Sequence, residues 1–380
     1  MAAPEIPKKY KAIIYDKPGE ISTKVVELDT PEPGPGEVLI NLYAMTPHVD
    51  NPSPLLTHHP LSSHSGVCHS DFGIMMNCWS QMPFPTQEGQ VGGHEGVGKI
   101  VKMGPGADSA AVKVGDRVGI KWVSGICGSC VACLAGMDGQ CMNQKISGYY
   151  TPGTFQQYVL APANYVTPVP DGLDSAEAAP MLCAGVTTYS ALRKANAQSG
   201  DWVVLLGAGG GLGHIAVQLG ARGMSYRIIG IDHDSKRDLV LASGAEHFLS
   251  LSHGKDLPAR VQELTGGLGA SAAVVLTAAN AAYAQAADML RIGGTLVCVG
   301  IPEGDPVPIA GALPQFLVAK ALRIVGVAVG DRREAIETMD FARRGIVKSH
   351  FRTEKMESLT GVFRDMEEGK VQGRVVLDLS

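Results

Sequence analysis

Residues 202–221 run for twenty positions without a charge, long enough on paper to cross a bilayer as one helix. Six of the twenty are glycine, however, and the stretch divides into a β-type run, Trp202-Val-Val-Leu-Leu, and a helix-type run, His214-Ile-Ala-Val-Gln-Leu. Between the two stands Gly207-Ala-Gly-Gly-Gly-Leu-Gly213. A strand, a glycine turn and a helix account for that pattern better than a membrane span. The runs Arg227-Ile-Ile-Gly-Ile-Asp232, Ala272-Ala-Val-Val-Leu276, Gly294-Thr-Leu-Val-Cys-Val299 and Leu322-Arg-Ile-Val-Gly-Val327 continue the strand side of an alternation with helices. That alternation belongs to an α/β fold with a parallel, doubly wound sheet.

Upstream the pattern changes to short β-runs between Pro/Gly turns, among them Lys11-Ala-Ile-Ile-Tyr15, Glu37-Val-Leu-Ile-Asn-Leu-Tyr43 and Gly98-Lys-Ile-Val-Lys-Met103. The C-terminal segment mixes a helix over 331–345 with a closing strand, Gly373-Arg-Val-Val-Leu-Asp378. A nucleotide domain over 183–327 is therefore expected inside a chain whose ends, 1–182 and 328–380, share a second domain. At 380 residues both have room for a core. A net charge of −5 without a basic stripe argues against nucleic acid as a partner. The first ten residues carry neither a signal peptide nor a transit pattern, and cysteines kept reduced suit the cytoplasm.

The glycine turn has a chemical reading as well. Glycines let a backbone approach a pyrophosphate, and the helix that follows offers unpaired N–H groups to its charge. Gly207, Gly209, Gly210, Gly211, Leu212 and Gly213 are thus candidate cofactor contacts. Asp232 ends the next strand, where a carboxylate binds ribose hydroxyls and repels a 2′-phosphate, so NAD is expected rather than NADP. The basic pair in His233-Asp-Ser-Lys-Arg237 keeps a phosphate contact open, against its plainer reading as a solvated helix start.

Cys127, Cys130, Cys133 and Cys141 place four thiols in fifteen residues, enough to enclose one tetrahedral zinc with no open position. Such a site is structural. A disulfide framework is the competing reading, disfavoured in a long chain with no secretory signal. Residues 45–65 form a Pro/His/Ser-rich block with no usable period, read as a loop or disorder and as an atypical insertion. Its His48, His58, His59 and His64 are candidate metal ligands, with a bare surface loop as the plainer account.

Gly66-Val-Cys-His-Ser-Asp71, Gly92-Gly-His-Glu-Gly96, the four-cysteine segment, Met181-Leu-Cys-Ala-Gly185 and the glycine turn follow one another in a recognisable order. In that order they resemble the zinc-dependent medium-chain alcohol dehydrogenases, in particular the fungal, yeast-type branch. The resemblance covers nearly everything outside 45–65. It implies a GroES-like, mostly-β catalytic domain beside a Rossmann coenzyme domain, and two zinc ions per chain. It places the catalytic zinc on Cys68, His94 and Cys183, with Glu95 as a supporting or transient ligand and Asp71 orienting a ligand histidine. It makes Ser70 the acceptor of the hydroxyl proton, Thr187 a contact beside the nicotinamide, Val299 a contact of the cofactor, and Arg374 and His69 contacts of the cofactor phosphates. Trp79 and Trp122 would wall the alcohol pocket, with core packing as the alternative.

Two departures stand out. Gly73 occupies the position where many relatives complete a proton relay with histidine, and His69 stands where some have arginine. The implied activity is the interconversion of a small primary alcohol and its aldehyde by a homodimer or homotetramer, joined through residues 296–299 and 324–329. Polyols or aromatic alcohols with NADP form the enzymatic alternative, and an idle, zinc-stabilised nucleotide-binding protein the non-enzymatic one. Cys78 and Cys298 receive no ligand role.

Overall fold

The computed structural model describes residues 6–42, 64–80 and 82–380. Backbone contacts divide the chain into two units, Met1–Cys183 with Asp331–Met339 and Phe351–Ser380, and Ala184–Gly330 with Asp340–His350.

The second unit is built on a six-stranded sheet in the order His247–Ser250, Arg227–Asp232, Trp202–Leu206, Ala270–Val275, Leu290–Cys298, Arg323–Gly326. Every neighbouring pair is parallel. Numbered along the chain this is 3-2-1-4-5-6, the Rossmann order, whose reversal beside the first strand opens a crevice at the carboxyl ends. Parallel strands covered on both faces need continuous apolar runs rather than alternation. Val203, Val204, Leu205 and Leu206 are accordingly all buried. The uncharged stretch at 202–221 is thus a strand, a glycine turn and the helix Gly213–Gln218. Among the described residues no helix is long and apolar enough to cross a membrane. The first strand of the order, His247–Ser250, is one that the sequence pattern does not mark.

The segment Asp340–His350 closes onto this unit. Phe341 packs on Tyr189 with ring centroids 5.5 Å apart. The Gln218 amide bonds both ways to the Lys348 backbone at 2.8 and 3.0 Å, and the His350 N–H donates to His214 Nε2 at 3.0 Å.

The first unit is mostly β. Its largest sheet runs Tyr158–Pro162, Glu37–Asn41, Gly96–Met103, His64–Val67, Arg374–Asp378, Phe351–Lys355, with Arg117–Ile120 branching from Gly96–Met103. A second sheet joins Thr23–Asp29, Lys9–Tyr15 and Gln90–Val91. Tyr15, Ile40, Leu42, Phe155, Phe363 and Val375 share the core between them. A two-stranded ladder, Val123–Gly125 with Lys145–Ile146, brackets the four-cysteine lobe.

The block at 45–65 is corrected at its end. His64 and Ser65 are not loop but the start of the strand His64–Val67, paired on both edges. Ser65 Oγ lies 2.8 Å from Thr154 Oγ1. His48, His58 and His59 lie outside the described residues.

Candidate active site

Three strand ends assemble one cluster. Cys68 follows His64–Val67, His94 and Glu95 precede Gly96–Met103, and Arg374 opens Arg374–Asp378. Because the first of these strands is antiparallel to the other two, its end and their beginnings fall at the same edge. Cys183 arrives from the turn Ala179–Leu182. Leu182 anchors that turn, leaving no room for a side chain at Gly119.

The ligand atoms of Cys68, His94, Glu95 and Cys183 all lie within 4.8 Å of one another, and all four residues are buried. Cys68 Sγ and Cys183 Sγ are 4.0 Å apart, close to the edge of a tetrahedron with ~2.3 Å zinc–sulfur bonds. Asp71 prepares both ends of the set. Its Oδ2 accepts the Cys68 backbone N–H at 2.9 Å, and its Oδ1 lies 2.8 Å from His94 Nδ1. A buried carboxylate at Nδ1 holds the ring proton there and leaves Nε2 as the free lone pair.

His94 Nε2 and Glu95 Oε2 are both buried and have no hydrogen-bond partner. Buried polar atoms are nearly always satisfied, so two orphans facing a pair of cysteines fit a metal ion. The Cys68 thiol is drawn well below its usual value by the hydrogen bond with Cys183, against burial and with help from Arg374.

The Glu95 carboxylate also accepts a hydrogen bond from Arg374. Burial pushes Glu95 up to about 7 while Arg374 pulls it down. Gly66 supplies the space, since a Cβ there would stand 1.9 Å from Glu95 Oε2. The resemblance sends Arg374 to the cofactor phosphates; here its side chain is 4% exposed and bound to Glu95. Neither the pairing nor the clearance at Gly66 has a sequence signal, because the partners are far apart in the chain.

Ser70 sits half-buried in the helix His69–Met75, its Oγ 3.7 Å from Cys68 Sγ. His69 is exposed, its ring tilted against that of Phe72 with centroids 5.4 Å apart. Trp122 meets His94 edge-on at 4.9 Å and Trp79 at 6.3 Å. Gly73 lies against Trp79, whose ring would be 3.3 Å from a Cβ at that position. Gly73 and Trp79 also line an open cavity of about 240 Å³, together with Phe84, Thr86 and Tyr149.

The four-cysteine lobe forms a second cluster. Its sulfurs pair at 4.0 Å for Cys127 and Cys133, and at 3.6 Å for both Cys130–Cys133 and Cys141–Cys127. A disulfide needs ~2.0 Å, so the thiols stand at metal-sharing and not bonding distance. Backbone N–H groups of Cys127 and Asn143 donate to Cys141 Sγ at 3.3 and 3.4 Å. Backbone donors at Ser129 and Cys130 lower the Cys127 thiol to about 5. Among the described residues these two are the groups able to hold a metal, and His64 belongs to neither. Cys78 and Cys298 also lie outside both.

In the second unit, Gly207 takes a left-handed φ of +87°. A Cβ at Gly213 would fall 2.0 Å from the Gly207 carbonyl, so loop and helix can approach only because glycine stands there. Asp232 Oδ2 accepts the Gly209 N–H and Oδ1 the His233 N–H, each at 2.7 Å. Gly210, Gly211 and Leu212 are half-buried along the same turn. Val299 is half-buried beyond Leu290–Cys298, its N–H on the Val275 carbonyl at 3.2 Å. Thr187 is buried in the helix Ala184–Lys194.

Comparison with known proteins identifies the family. Residues 62–171 match the alcohol dehydrogenase GroES-like domain, and residues 211–344 the zinc-binding dehydrogenase family. Alcohol dehydrogenase 2 of Emericella nidulans is 61% identical, over 100% of both chains. The chain belongs to the zinc-type medium-chain alcohol dehydrogenases. The alcohol dehydrogenase of Schizosaccharomyces pombe is 37% identical over 98% of each chain. Among solved structures, the Aeropyrum pernix alcohol dehydrogenase superposes with a TM-score of 0.81 at 27% identity, covering 97% of this chain and 99% of that one. Acetophenone reductase from Geotrichum candidum, in complex with NAD, gives 0.77 at 26% identity over 98% of both. This family member is therefore an alcohol oxidoreductase, with a GroES-like domain and a Rossmann domain.

One expectation about assembly is corrected. Residues 296–299 do not offer a free strand edge: Leu290–Cys298 is hydrogen-bonded to a neighbour on each side, and Leu296 and Val297 are 0% exposed. The open edge belongs to Arg323–Gly326, where Ile324 is exposed.

Proposed function

We propose that this family member interconverts small primary alcohols and their aldehydes with NAD as the coenzyme. The observation that carries the reading is the buried set of Cys68, His94 and Cys183, with His94 Nε2 lacking any partner. When bound, zinc at this set supplies Lewis acidity to an alcohol hydroxyl, and the nicotinamide supplies the hydride acceptor.

The chain's own residues do the rest. Asp71 fixes the His94 tautomer. The Ser70 hydroxyl takes the alcohol proton. Gly73 offers no base, so that proton continues to water. Glu95 serves as a reserve ligand, its carboxylate restrained by Arg374. Trp79 and Trp122 wall the alcohol site. The turn from Gly207 to Gly213 receives the pyrophosphate, with His69 as a weak helper. Asp232 meets the ribose and repels a 2′-phosphate, which supports NAD. Thr187 and Val299 serve the nicotinamide region. Cys127, Cys130, Cys133 and Cys141 hold a second, structural zinc. The free edge of Arg323–Gly326 supports a homo-oligomer, and the reduced thiols support a cytoplasmic setting.

Initial rates of coenzyme reduction on primary alcohols, secondary alcohols and polyols, with NAD and NADP side by side, test this reading. Turnover fastest with NAD on short primary alcohols is the expected result. Preference for NADP, or for polyols, would overturn it.

A further inference from the structure

A buried cation in the first unit takes no part in this chemistry. Lys121 is 1% exposed, at the end of the strand Arg117–Ile120. Its Nζ stands 3.6 Å from the Tyr165 ring centroid and 3.5 Å from the Tyr165 carbonyl oxygen. The Tyr165 hydroxyl donates to Asp138 Oδ2 at 3.1 Å. Asp138 also accepts the Arg332 backbone N–H at 3.3 Å, with the Arg332 guanidinium 3.5 Å away. The carbonyl of Asp138 holds the Cys141 N–H at 3.1 Å.

The residue after Lys121 is Trp122, the one that packs edge-on against His94. Its carbonyl accepts the Ser147 N–H at 3.0 Å, and the Ser147 hydroxyl donates to the Gly93 carbonyl at 2.9 Å, next to His94. A single short stretch of backbone thus joins the lysine to the wall of the metal cluster.

An ammonium removed from water is costly, and apolar packing alone does not need one. Burial draws Lys121 down to about 7, with Asp138 pulling up, Arg332 adding to the fall and Asp331 opposing it. The groups facing the amine are therefore Asp138 from its 3-10 turn, Tyr165, and Asp331 with Arg332 at the start of the helix Arg332–Arg343. None of them is a metal ligand.

We propose that Lys121 is a positioning residue for the alcohol site: its ammonium, clamped over Tyr165, fixes the backbone that presents Trp122 to His94. The inference rests on reading Trp122 as part of that site. When the amine loses its proton the cation–π contact is lost, and the wall loosens.

The test is the alcohol KM at saturating NAD across pH, taken as a ratio to wild type for Lys121→Met, Lys121→Arg and Trp122→Ala in the full-length holoenzyme. Lys121→Met raises KM about tenfold at about pH 6, the scale of a desolvated cation–π contact, and the ratio falls towards one at about pH 9. Lys121→Arg keeps its charge throughout, so its ratio starts near one and drops below one as pH rises. A pH-independent ratio for both variants would overturn the proposal. If the methionine variant failed to fold, the arginine ratio alone would decide in the same way. A Trp122→Ala enzyme with wild-type alcohol KM would remove the reading of the wall itself. Trp122→Ala altered and Lys121 variants flat would remove only the role of Lys121.

Discussion

The two cysteine clusters place their thiols in opposite settings. In the lobe, four thiols come from one stretch of fifteen residues, Cys127 is exposed, and backbone N–H groups stabilise the sulfurs. In the other cluster the donors come from segments as far apart as Cys68 and Cys183, every one is buried, and a carboxylate and a guanidinium crowd beside them. A local, closed set that reaches the surface at Cys127 suits a brace. A convergent buried set with orphaned donors suits chemistry, because low dielectric strengthens every charge placed there.

The two clusters should differ most when their ligands are replaced. His94→Gln should lower kcat/KM by about a thousandfold or more, the scale of lost Lewis-acid stabilisation, while leaving the melting temperature close to wild type. Cys130→Ser should do the reverse, lowering the melting temperature while the folded enzyme keeps most of its kcat. Matched activity losses in the two variants would erase the distinction.

Asp71→Asn sharpens the same contrast from outside the ligand set. The amide can still fill the space but no longer holds the His94 Nδ1 proton as a carboxylate does. Metal affinity or activity should fall about 10–100-fold, the usual scale for such supporting groups. Equal zinc retention and equal rates in Asp71→Asn and wild type would show that the His94 tautomer is set elsewhere.

A separate effect is expected on stability against pH. The native pKa of Lys121 is about 7, while an unfolded lysine titrates at ~10.4. Between these values the unfolded chain binds more protons, so this residue makes stability rise with pH across that window. Lys121→Met should flatten the rise, measured as denaturant midpoints from neutral to alkaline pH. Identical slopes in the two proteins would contradict the burial of a titrating amine.

Much of this architecture is legible in the order of the amino acids alone. The periodicity around Trp202, Arg227, Ala272, Gly294 and Leu322 locates five of the six parallel strands, because apolar runs between helical segments are a strong local signal. His247–Ser250 escapes because it is four residues long and its first residue is a histidine that follows Glu246. His64 and Ser65 escape because a strand ordered by partners on both edges needs little from its own composition. The lobe is readable from spacing alone. Cys68, His94 and Cys183 are connected only by family resemblance, since nothing local ties donors so far apart. Arg374 on Glu95, the clearance at Gly66 and the burial of Lys121 are properties of packing, and no sequence pattern carries them.

The proposed function requires two zinc ions on one chain, a buried one on Cys68, His94 and Cys183 and a bracing one on the lobe. Elemental analysis of zinc per chain in wild type, His94→Gln and Cys130→Ser tests it most directly. Two equivalents are expected in wild type and about one in each variant, with alcohol turnover surviving only in Cys130→Ser among the two. One equivalent in wild type, or a His94→Gln protein that keeps both, would contradict it.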